Sequence, residues 1–566
     1  MLGSYSQCIT LKVPKDITFK SSYIRLDFQV ISAILKEYFD KTTTINIVPS
    51  FGMCLPDTCS KWEIKEIFTK VYRWKSFPIK PSKVFSYNTI ELDTKAWILL
   101  LALTSMIIVI AVATLLDILA LNSPMKDDQS SESEFLLEEK KDKNSNILNK
   151  ILEISTCFSF VRNLEKLSLA EPSKDISCIH GIRFFSMCWI ILIHTRYDLT
   201  ALFANPTYLK EWNIGFLSNI SYSVVAVHSF FVLSGFLVTI STLKKLSDSS
   251  FKIVPYYIHR YWRITPTYAI IMATYIILYQ FFVKGPMSVE ENSFLEICNK
   301  GWWMNLLYIN NINNISCMGW TWYLAADMQF YVLAPMLIYS LYRWKYFGII
   351  FNLLTIIAAC ITSAIISYQY DFPSSNFFIK EKKLDLFTRL YYETPWTNIG
   401  SYVVGILTGW KFFTDGKLQL NKITIRIIST AAVLISLLII FFPINTLNVK
   451  FTNAIFNSLH KPLWSICISW LILFCLTIQK GIVHDLLSLR MWIVPSRLTF
   501  VAYLVHPIII SAFVNSRENL IIMDSSLVIF FFLMFLTASF LLAFFITVTV
   551  EIPLRNVAKY TPLLKL

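Results

Sequence analysis

Apolar segments about as long as a transmembrane helix recur throughout this chain of 566 residues. A helix needs about 20 mainly apolar residues to cross the roughly 30 Å hydrocarbon layer of a bilayer. The pattern predicts eleven spans, near 97–121, 182–204, 214–241, 257–283, 320–341, 346–367, 397–413, 424–443, 461–479, 494–514 and 526–550. With 55% hydrophobic and 16% charged residues, the composition is typical of a membrane protein. We therefore expect an all-α fold, a polytopic transmembrane bundle of one plus ten spans.

The formal net charge of +14 does not indicate nucleic-acid binding, because the positive residues collect in loops on one side of the predicted membrane. These loops contain Lys244, Lys245, Lys252, Arg343, Lys345, Lys411, Lys417, Lys480, Arg490, Arg555 and Lys559. The positive-inside rule makes that side cytosolic. It places residues 1–95 outside the cell or in a lumen and the C-terminus in the cytosol. The membrane is then the plasma membrane or the endoplasmic reticulum, and the lysine-containing loop 368–396 is an exception to the rule.

Polar stretches divide the chain into five parts. We expect a partial extracellular or lumenal domain at 1–95, a first span at 96–121, a cytosolic disordered linker at 122–175, a ten-span domain at 176–555 and a cytosolic tail at 556–566. The linker is dense in Ser, Glu, Asp and Lys, a composition that cannot bury a core.

The cysteines agree with this topology. Cys298 and Cys317 lie in one predicted lumenal loop, where oxidation is allowed, so we expect a disulfide between them. Asn314, in an Asn-Ile-Ser sequon of that loop, is a candidate glycosylation site. The N-terminal domain has three further cysteines, of which either one is free or its partner lies upstream: Cys8, Cys54 and Cys59. The sequence has no cluster of metal ligands, and we expect no metal.

Two ionisable residues lie within the predicted helix that starts near Ile179. Arg183 and His194 are eleven residues apart, about three turns, so they share a face and lie roughly 16 Å apart along the axis. His180 is one turn before Arg183 on the same face. An ionisable group inside a bilayer usually faces an interior or a wet cavity. The alternative is a core histidine whose hydrogen bonds a neighbouring helix satisfies.

The predicted span 257–283 opens with two arginines one turn apart, Arg260 and Arg263. They can simply anchor the helix at the membrane surface. Two guanidinium groups on one face can also bind a phosphate in a bidentate manner. Together with His180 and Arg183, they would form an anion site facing the cytosol. Asp327, in another span, needs an arginine or histidine partner, and a purely structural ion pair is an open alternative.

The remaining candidates have weaker signals. His506 is a second imidazole within a span, and helix-to-helix hydrogen bonding is its alternative role. Tyr503 lies one turn before His506, and Trp322 reads as part of an interfacial aromatic belt. Glu551 and Arg555 are four residues apart at the last exit from the membrane, where a pair within one helix explains them adequately.

At these residues the chain resembles the acyltransferase-3 family of integral membrane proteins and, more narrowly, its animal group of nose resistant to fluoxetine proteins. The matching stretches, within roughly 175–555, are IHGIRFFSMCWIILIHT, SFFVLSGFLVT, YYIHRYWRITPTY, GWTWYLAADMQFYVLAP, YYETPWTNIGSYVVGILTGW, PSRLTFVAYLVHP and EIP. The resemblance implies a ten-span bundle that moves acyl groups from an activated donor to carbohydrate or lipid acceptors. The family's Arg-x10-His signature falls on Arg183 and His194, its Arg-x-x-Arg on Arg260 and Arg263, and its acidic residue on Asp327.

The chain departs from the family pattern in three places. His228 stands where the family motif has an aspartate, and Asn398 stands where relatives often have an arginine. These two departures put catalytic competence in question. The N-terminal domain is also shorter than in the narrower group, from which we expect an incomplete N-terminus.

The leading hypothesis is a membrane O-acyltransferase that transfers a non-amino-acyl group from an acyl-CoA-like donor to a lipid or carbohydrate hydroxyl. Its donor would bind Arg183, Arg260 and Arg263, His194 would act as general base or nucleophile, and Asp327 would fix a tautomer or pair with an arginine. We expect no permanently bound cofactor, and we expect membrane lipid, donor and acceptor as the partners. The alternative is a lipid or xenobiotic carrier on the same scaffold. A receptor that uses the N-terminal domain has less support.

Overall fold

The computed structural model describes residues 7–8, 21–30, 50–56, 58–75, 79–87, 92–122, 154–169, 176–205, 220, 225–286, 289–313, 317–374, 381–417, 419–445, 449–478, 481–557 and 560.

The N-terminal domain contains a small antiparallel sheet. Its strands are β1 (Ser21–Val30), β2 (Ser50–Pro56) and β3 (Ile79–Tyr87), in the order β2-β1-β3. Helix α1 (Lys61–Lys75) packs on the sheet through Ile64, which contacts Ile24 of β1. A disulfide joins Cys8 to Cys54, and Cys59 has a free thiol. One cysteine of the three is therefore free, as one of the two alternatives predicted.

The rest of the described chain is helical, as predicted. The helices are α2 (Thr94–Asn122), α3 (Phe160–Ser168), α4 (Cys178–Leu199), α5 (Ala226–Ser247), α6 (Ile253–Phe282), α7 (Val289–Leu306), α8 (Trp322–Arg343), α9 (Lys345–Tyr370), α10 (Glu381–Phe387), α11 (Pro395–Asp415), α12 (Lys422–Asn445), α13 (Lys450–Ile478), α14 (Ile482–Leu487), α15 (Ile493–Asn515), α16 (Ser525–Ile546) and α17 (Ile552–Val557). Two π-helical turns, Thr388–Tyr392 and Thr547–Glu551, follow α10 and α16.

Ten helices in the described ranges are, by length and composition, able to cross a membrane. They coincide with ten of the predicted spans and are α2, α4, α5, α6, α8, α9, α12, α13, α15 and α16. The predicted span 397–413 coincides with α11, which has 21 residues but is less apolar. Its buried polar residues include Thr397, Asn398 and Ser401. The chain is thus a multi-pass membrane protein in which the most polar long helix lies inside the bundle.

Successive long helices alternate in direction, so their connections fall at two ends. His180 of α4 meets Ser496 of α15 at one end, and Asn205 meets Met523 at the other. We call the first the basic end, because those of the loop lysines and arginines above that the structure describes lie there. We call the second the disulfide end, because Cys298 and Cys317 are bonded there. This bond was predicted, and it ties α7, a helix that the sequence did not predict, to the residues that lead into α8.

Two helix boundaries differ from the predicted spans. The span predicted at 214–241 corresponds to α5, which begins at Ala226. The span predicted at 461–479 corresponds to α13, which begins at Lys450. The first part of α13 is polar, but its side chains find partners: Asn457 donates to Ser367 over 2.8 Å. A hydropathy pattern locates the apolar part of a helix, and it misses turns whose polar groups are satisfied by the protein.

The predicted disordered linker is wrong for residues 154–169, which are ordered. Helix α3 starts after Ser159, whose hydroxyl donates to Asp117 of α2 over 2.7 Å. Asp117 also pairs with Arg162 of α3 at 2.6 Å. At the other end of α3, Arg497 of α15 donates to the carbonyls of Lys166, Leu167 and Leu169. Paired charges and a capped terminus therefore fix α3 at the basic end. The other residues of the predicted linker, 123–153 and 170–175, lie outside the described residues.

Helices α5 and α11 pack very closely because glycines face the partner backbone. A Cβ atom on Gly235 of α5 would overlap the carbonyl oxygen of Tyr402, and one on Gly405 of α11 would overlap that of Val232. Such small residues let transmembrane helices approach each other without a hydrophobic driving force. The close approach brings His228 of α5 next to Ser401 of α11.

Candidate functional site

Helices α6 and α8 run antiparallel in a register that tyrosines fix. The rings of Tyr256 and Tyr331 stack with centroids 4.1 Å apart and an interplanar angle of 6°. Each tyrosine hydroxyl donates to the main-chain carbonyl of the other, at 3.1 and 3.2 Å. One turn farther along α6, and one turn back along α8, this register places Arg260 opposite Asp327.

Arg260 and Asp327 form an ion pair inside the bundle. Their side chains are 16% and 5% exposed, and the Arg260 guanidinium also lies over the Tyr331 ring, 4.7 Å from its centroid. Asp327 thus has an arginine partner from another helix, one of the roles predicted for it. Two atoms of the pair, Arg260 Nε and Asp327 Oδ1, are buried without a hydrogen-bond partner among the described residues.

Four arginines approach each other at the basic end. The charges of Arg183, Arg260 and Arg555 all act on Arg263. We call these four residues the arginine cluster. Arg263 and Arg555 are exposed, whereas Arg183 and Arg260 are half-buried. The cluster therefore leads from the surface into the bundle.

Two carboxylates of the described residues act on the arginine cluster. Asp327 pairs with Arg260, and the charge of Glu551 acts on Arg263. Glu551 itself is buried and accepts a hydrogen bond of 3.2 Å from the Thr547 hydroxyl. Its pair with Arg555, expected from spacing, therefore operates within a larger group of charges. Four guanidinium groups gathered at one place suit the binding of an anion.

His180 shares the helix face of Arg183 but already has a partner. Its Nδ1 lies 2.5 Å from the Ser496 hydroxyl, which itself donates to the carbonyl of Ile493 over 2.8 Å. Because the single hydroxyl hydrogen is used in that bond, His180 Nδ1 is the donor to Ser496. His180 therefore links α4 to α15 beside the arginine cluster.

His194 lies inside the bundle and faces His506. Their ring centroids are 4.9 Å apart with an interplanar angle of 73°. His506 Nδ1 is 3.1 Å from the carbonyl of Ala502, so it carries the hydrogen of the neutral ring. Its Nε2 is buried without a hydrogen-bond partner among the described residues. We call His194 and His506 the histidine pair; it joins helices α4 and α15, which the sequence could not connect.

Aromatic rings connect the histidine pair to the Arg260–Asp327 pair. Tyr503 lies 6.1 Å from His506, and Tyr323 lies 5.6 Å from Tyr503, measured between ring centroids. The charges of Asp327, Arg260 and Arg183 all act on Tyr323. Tyr503 was a predicted supporting residue, and the structure places it between the two groups. Tyr323 was not among the candidates from the sequence.

The prediction of an interfacial belt is wrong for Trp322. This side chain is buried, and its ring packs against Tyr392 at 4.8 Å. The π-helical turn that contains Tyr392 covers it, so it faces protein instead of the lipid headgroups. Next to this turn, burial raises the pKa of Glu393 to about 8. The charge of Glu393 acts on Tyr503, a relationship that no sequence pattern suggested.

The two departures from the family pattern lie in one buried group with Lys461 of α13. Lys461 donates to the side-chain oxygen of Asn398 over 3.0 Å and lies over the Tyr391 ring at 4.1 Å. His228 Nδ1 is 3.0 Å from the Ser401 hydroxyl, one turn beyond Asn398, and the charge of Lys461 acts on it. Sequence reasoning missed Lys461 because it stood at the predicted edge of a span. The indication available in the sequence was that Lys461 stands at the start of an apolar segment.

Asn314, the candidate glycosylation site, lies outside the described residues. In the described ranges no group of three or more His, Cys, Asp or Glu side chains could hold a metal ion.

Comparisons with known proteins identify relatives. The chain is 28% identical to "Nose resistant to fluoxetine protein 6" of Caenorhabditis elegans, over 90% of this chain and 66% of that protein. It is 25% identical to "Regulator of hypoxia-inducible factor 1" of the same organism, over 46% of this chain and 55% of that protein. The chain thus spans less than two thirds of the length of either relative. No solved structure matches it.

The decisive match is to a family profile. Residues 176–548, which contain the arginine cluster except Arg555 as well as the histidine pair, match the profile described as an acyltransferase domain. The match covers more than half of the chain. The protein therefore belongs to the acyltransferase-3 family of multi-pass membrane proteins.

Proposed function

We propose that the protein is a membrane O-acyltransferase that takes a non-amino-acyl group from an acyl-CoA-like donor to a hydroxyl of a lipid or carbohydrate. The observation that supports this most is the histidine pair: a half-buried imidazole on the family's Arg-x10-His position, with a second imidazole against it. A neutral imidazole is the usual general base near neutral pH.

The donor is held by the arginine cluster. Guanidinium groups bind phosphate oxygens through paired charge-assisted hydrogen bonds, and Arg263 and Arg555 are the exposed members of the cluster. Asp327 keeps Arg260 in place instead of touching the reacting atoms. Asp327 therefore has a positioning role. Of the two roles that the sequence suggested, fixing a tautomer and pairing with an arginine, this is the second.

His194 carries out the transfer in one of two ways. As a base, it takes the proton of the acceptor hydroxyl while that oxygen attacks the thioester carbonyl; the C–S bond breaks and the thiolate receives the proton. As a nucleophile, it attacks the thioester carbonyl and expels the thiolate, which takes the proton of the other ring nitrogen; the acceptor oxygen then breaks the acyl–nitrogen bond and its proton returns to the imidazole. In both cases the lone pair of His506 Nε2 can accept a hydrogen bond from the N–H of His194. The other His194 nitrogen then carries no hydrogen, and its lone pair is available for the reaction.

The experiment is transfer of a labelled acyl group from acyl-CoA to membrane lipids and oligosaccharides by purified protein in liposomes. We expect His194→Ala to abolish transfer and His259→Ala, an exposed histidine of α6, to leave it unchanged. A His194→Ala protein that transfers at the normal rate would contradict the proposal.

A carrier of lipids or xenobiotics is the second candidate. Buried polar atoms without partners in the described chain, on Asp327, Arg260, Tyr402 and His506, occur along the interior of the bundle. Polar groups inside a membrane domain also mark substrate paths. Solute or lipid movement in the same liposomes without consumption of acyl donor would favour this function.

A further inference from the structure

We propose that Tyr323 and Tyr503 form a gate between the arginine cluster and the histidine pair, and that Tyr323 determines which acyl groups pass. The identity of the passing group, the acyl end of an anionic donor, rests on the proposed function. The existence of the gate does not, because it depends on the arrangement of the side chains alone.

The two tyrosines lie between the two groups along the membrane normal. Asp327, the partner of Arg260, is one turn from Tyr323 toward the basic end of α8. His506 is three residues from Tyr503 toward the disulfide end of α15. The Tyr323 and Tyr503 rings touch edge to face at 5.6 Å. A group that enters at the arginine cluster and moves straight along the bundle meets this contact before it meets His506.

Tyr503 is the fixed half of the gate. Its hydroxyl donates to the carbonyl of Trp320, and the indole Nε1 of Trp320 donates back to the carbonyl of Leu504 over 3.3 Å. The side chain is buried. Two reciprocal hydrogen bonds between α15 and the residues before α8 leave this ring little freedom.

Tyr323 is the movable half. Its side chain is half-buried, and its hydroxyl makes no hydrogen bond within the described part of the chain. Its other ring contacts are with Phe231 at 4.7 Å, Phe230 at 6.2 Å and Trp322 at 6.5 Å. Contacts of this kind hold a ring by packing alone, so rotation of Tyr323 breaks no polar bond.

Buried polar atoms without a partner among the described residues lie on both sides of the tyrosines. Arg260 Nε and Asp327 Oδ1 are on the side of the basic end, and His506 Nε2 is on the other. A buried polar atom that has no partner is costly, which makes a polar ligand or water the natural partner on each side. Partnerless polar atoms on both sides of two aromatic rings are the arrangement that a gated path requires, and in the proposed gate the ring that can turn limits the width of what passes.

The gate is tested without any catalysis. In sealed vesicles, a His194→Cys protein is exposed from the basic-end side to a membrane-impermeant maleimide. The parent protein has its own free cysteines, so its labelling is measured separately and subtracted. We expect slow labelling with Tyr323 in place and labelling about tenfold faster with Tyr323→Ala, because the opening no longer depends on a ring rotation. Tyr323→Phe keeps the ring and should stay slow, and Tyr339→Ala, an exposed tyrosine of the same helix, is the matched control.

Tyr503→Phe provides a second variant if Tyr323→Ala does not fold. It keeps the ring but removes the bond to Trp320, and we expect faster labelling than with both tyrosines intact. Fast labelling of His194→Cys with both tyrosines present, or the same rate in all variants, would overturn the gate.

The specificity part is tested with acyl-CoA donors of equal length, linear or branched. We expect Tyr323→Ala to raise kcat/KM for the branched donor relative to the linear one about tenfold, the usual discrimination from one extra methyl group in a tight passage. An unchanged ratio would overturn this part. If no variant transfers acyl groups at all, the proposed function fails, while the maleimide experiment still decides about the gate.

Discussion

The ammonium nitrogen of Lys461 lies 3.0 Å from the side-chain oxygen of Asn398, and both residues are buried. From the family resemblance we expected an arginine at the position of Asn398. The basic side chain at this place therefore comes from α13 instead of α11. Lys461 also donates to Tyr391 and Thr397, at 3.4 and 3.5 Å, so its three hydrogens have acceptors. We infer that the Lys461 side chain takes the place of the expected arginine.

We predict that Asn398→Arg lowers the melting temperature, because it adds a second buried cation beside Lys461. Lys461→Met should also destabilise the protein, by about 1–3 kcal/mol, since it leaves buried oxygens without donors. In the double variant the arginine replaces the lysine charge, so its melting temperature should exceed that of Asn398→Arg alone. Thermal unfolding in detergent measures all three, with exposed Lys422→Met as control. Additive losses would show that the two side chains do not substitute for each other.

The Arg260–Asp327 pair gives a second prediction. Asp327→Asn leaves the Arg260 charge without its partner inside the bundle, which typically costs about 3–5 kcal/mol. Adding Arg260→Gln should recover part of that loss, because the unpaired charge is then gone. The melting temperatures of the two single variants and the double variant check this. If the double variant is less stable than Asp327→Asn, the pair is not the source of the loss.

The histidine pair predicts non-additive kinetics. His506→Phe fills the space but cannot accept the N–H of His194, and we expect acyl transfer to fall about 100-fold, within the usual range for acid–base groups. The variant with His194→Ala as well should be no slower than His194→Ala alone, because groups that act as a unit lose activity together. Initial rates with labelled donor measure both. Unchanged transfer in His506→Phe would remove His506 from the mechanism.

Glu393, between the turn Thr388–Tyr392 and α11, predicts a pH dependence of stability. Burial raises its pKa in the folded protein to about 8, above the ordinary value of 4.5. Between these values the folded chain holds more protons than the unfolded chain, so stability falls as pH rises and levels off above about pH 8. We expect Glu393→Gln to melt at a higher temperature than the parent near pH 9 and at the same temperature near pH 4. A difference that is the same at both pH values would contradict the raised pKa.

Much of the fold was predictable from local properties of the chain. The spans followed from hydropathy because transfer from water to lipid depends mainly on the residues of one segment. The predicted start of α13 was wrong, because polar residues such as Asn457 extend a helix where the protein supplies partners. The linker prediction was wrong at α3 because composition does not reveal that Arg497 caps it from a distant helix.

The sequence by itself determined the helical membrane fold, the Cys298–Cys317 bridge and the choice of Arg183, His194, Arg260, Arg263 and Asp327 as candidates. The cost of charge in a bilayer singles out such residues wherever their helices lie. Only the tertiary structure decided that Asp327 meets Arg260, that His194 meets His506, and that two tyrosines separate these pairs. Contacts between helices depend on how each helix is rotated and packed, and hydropathy within a segment contains no such information.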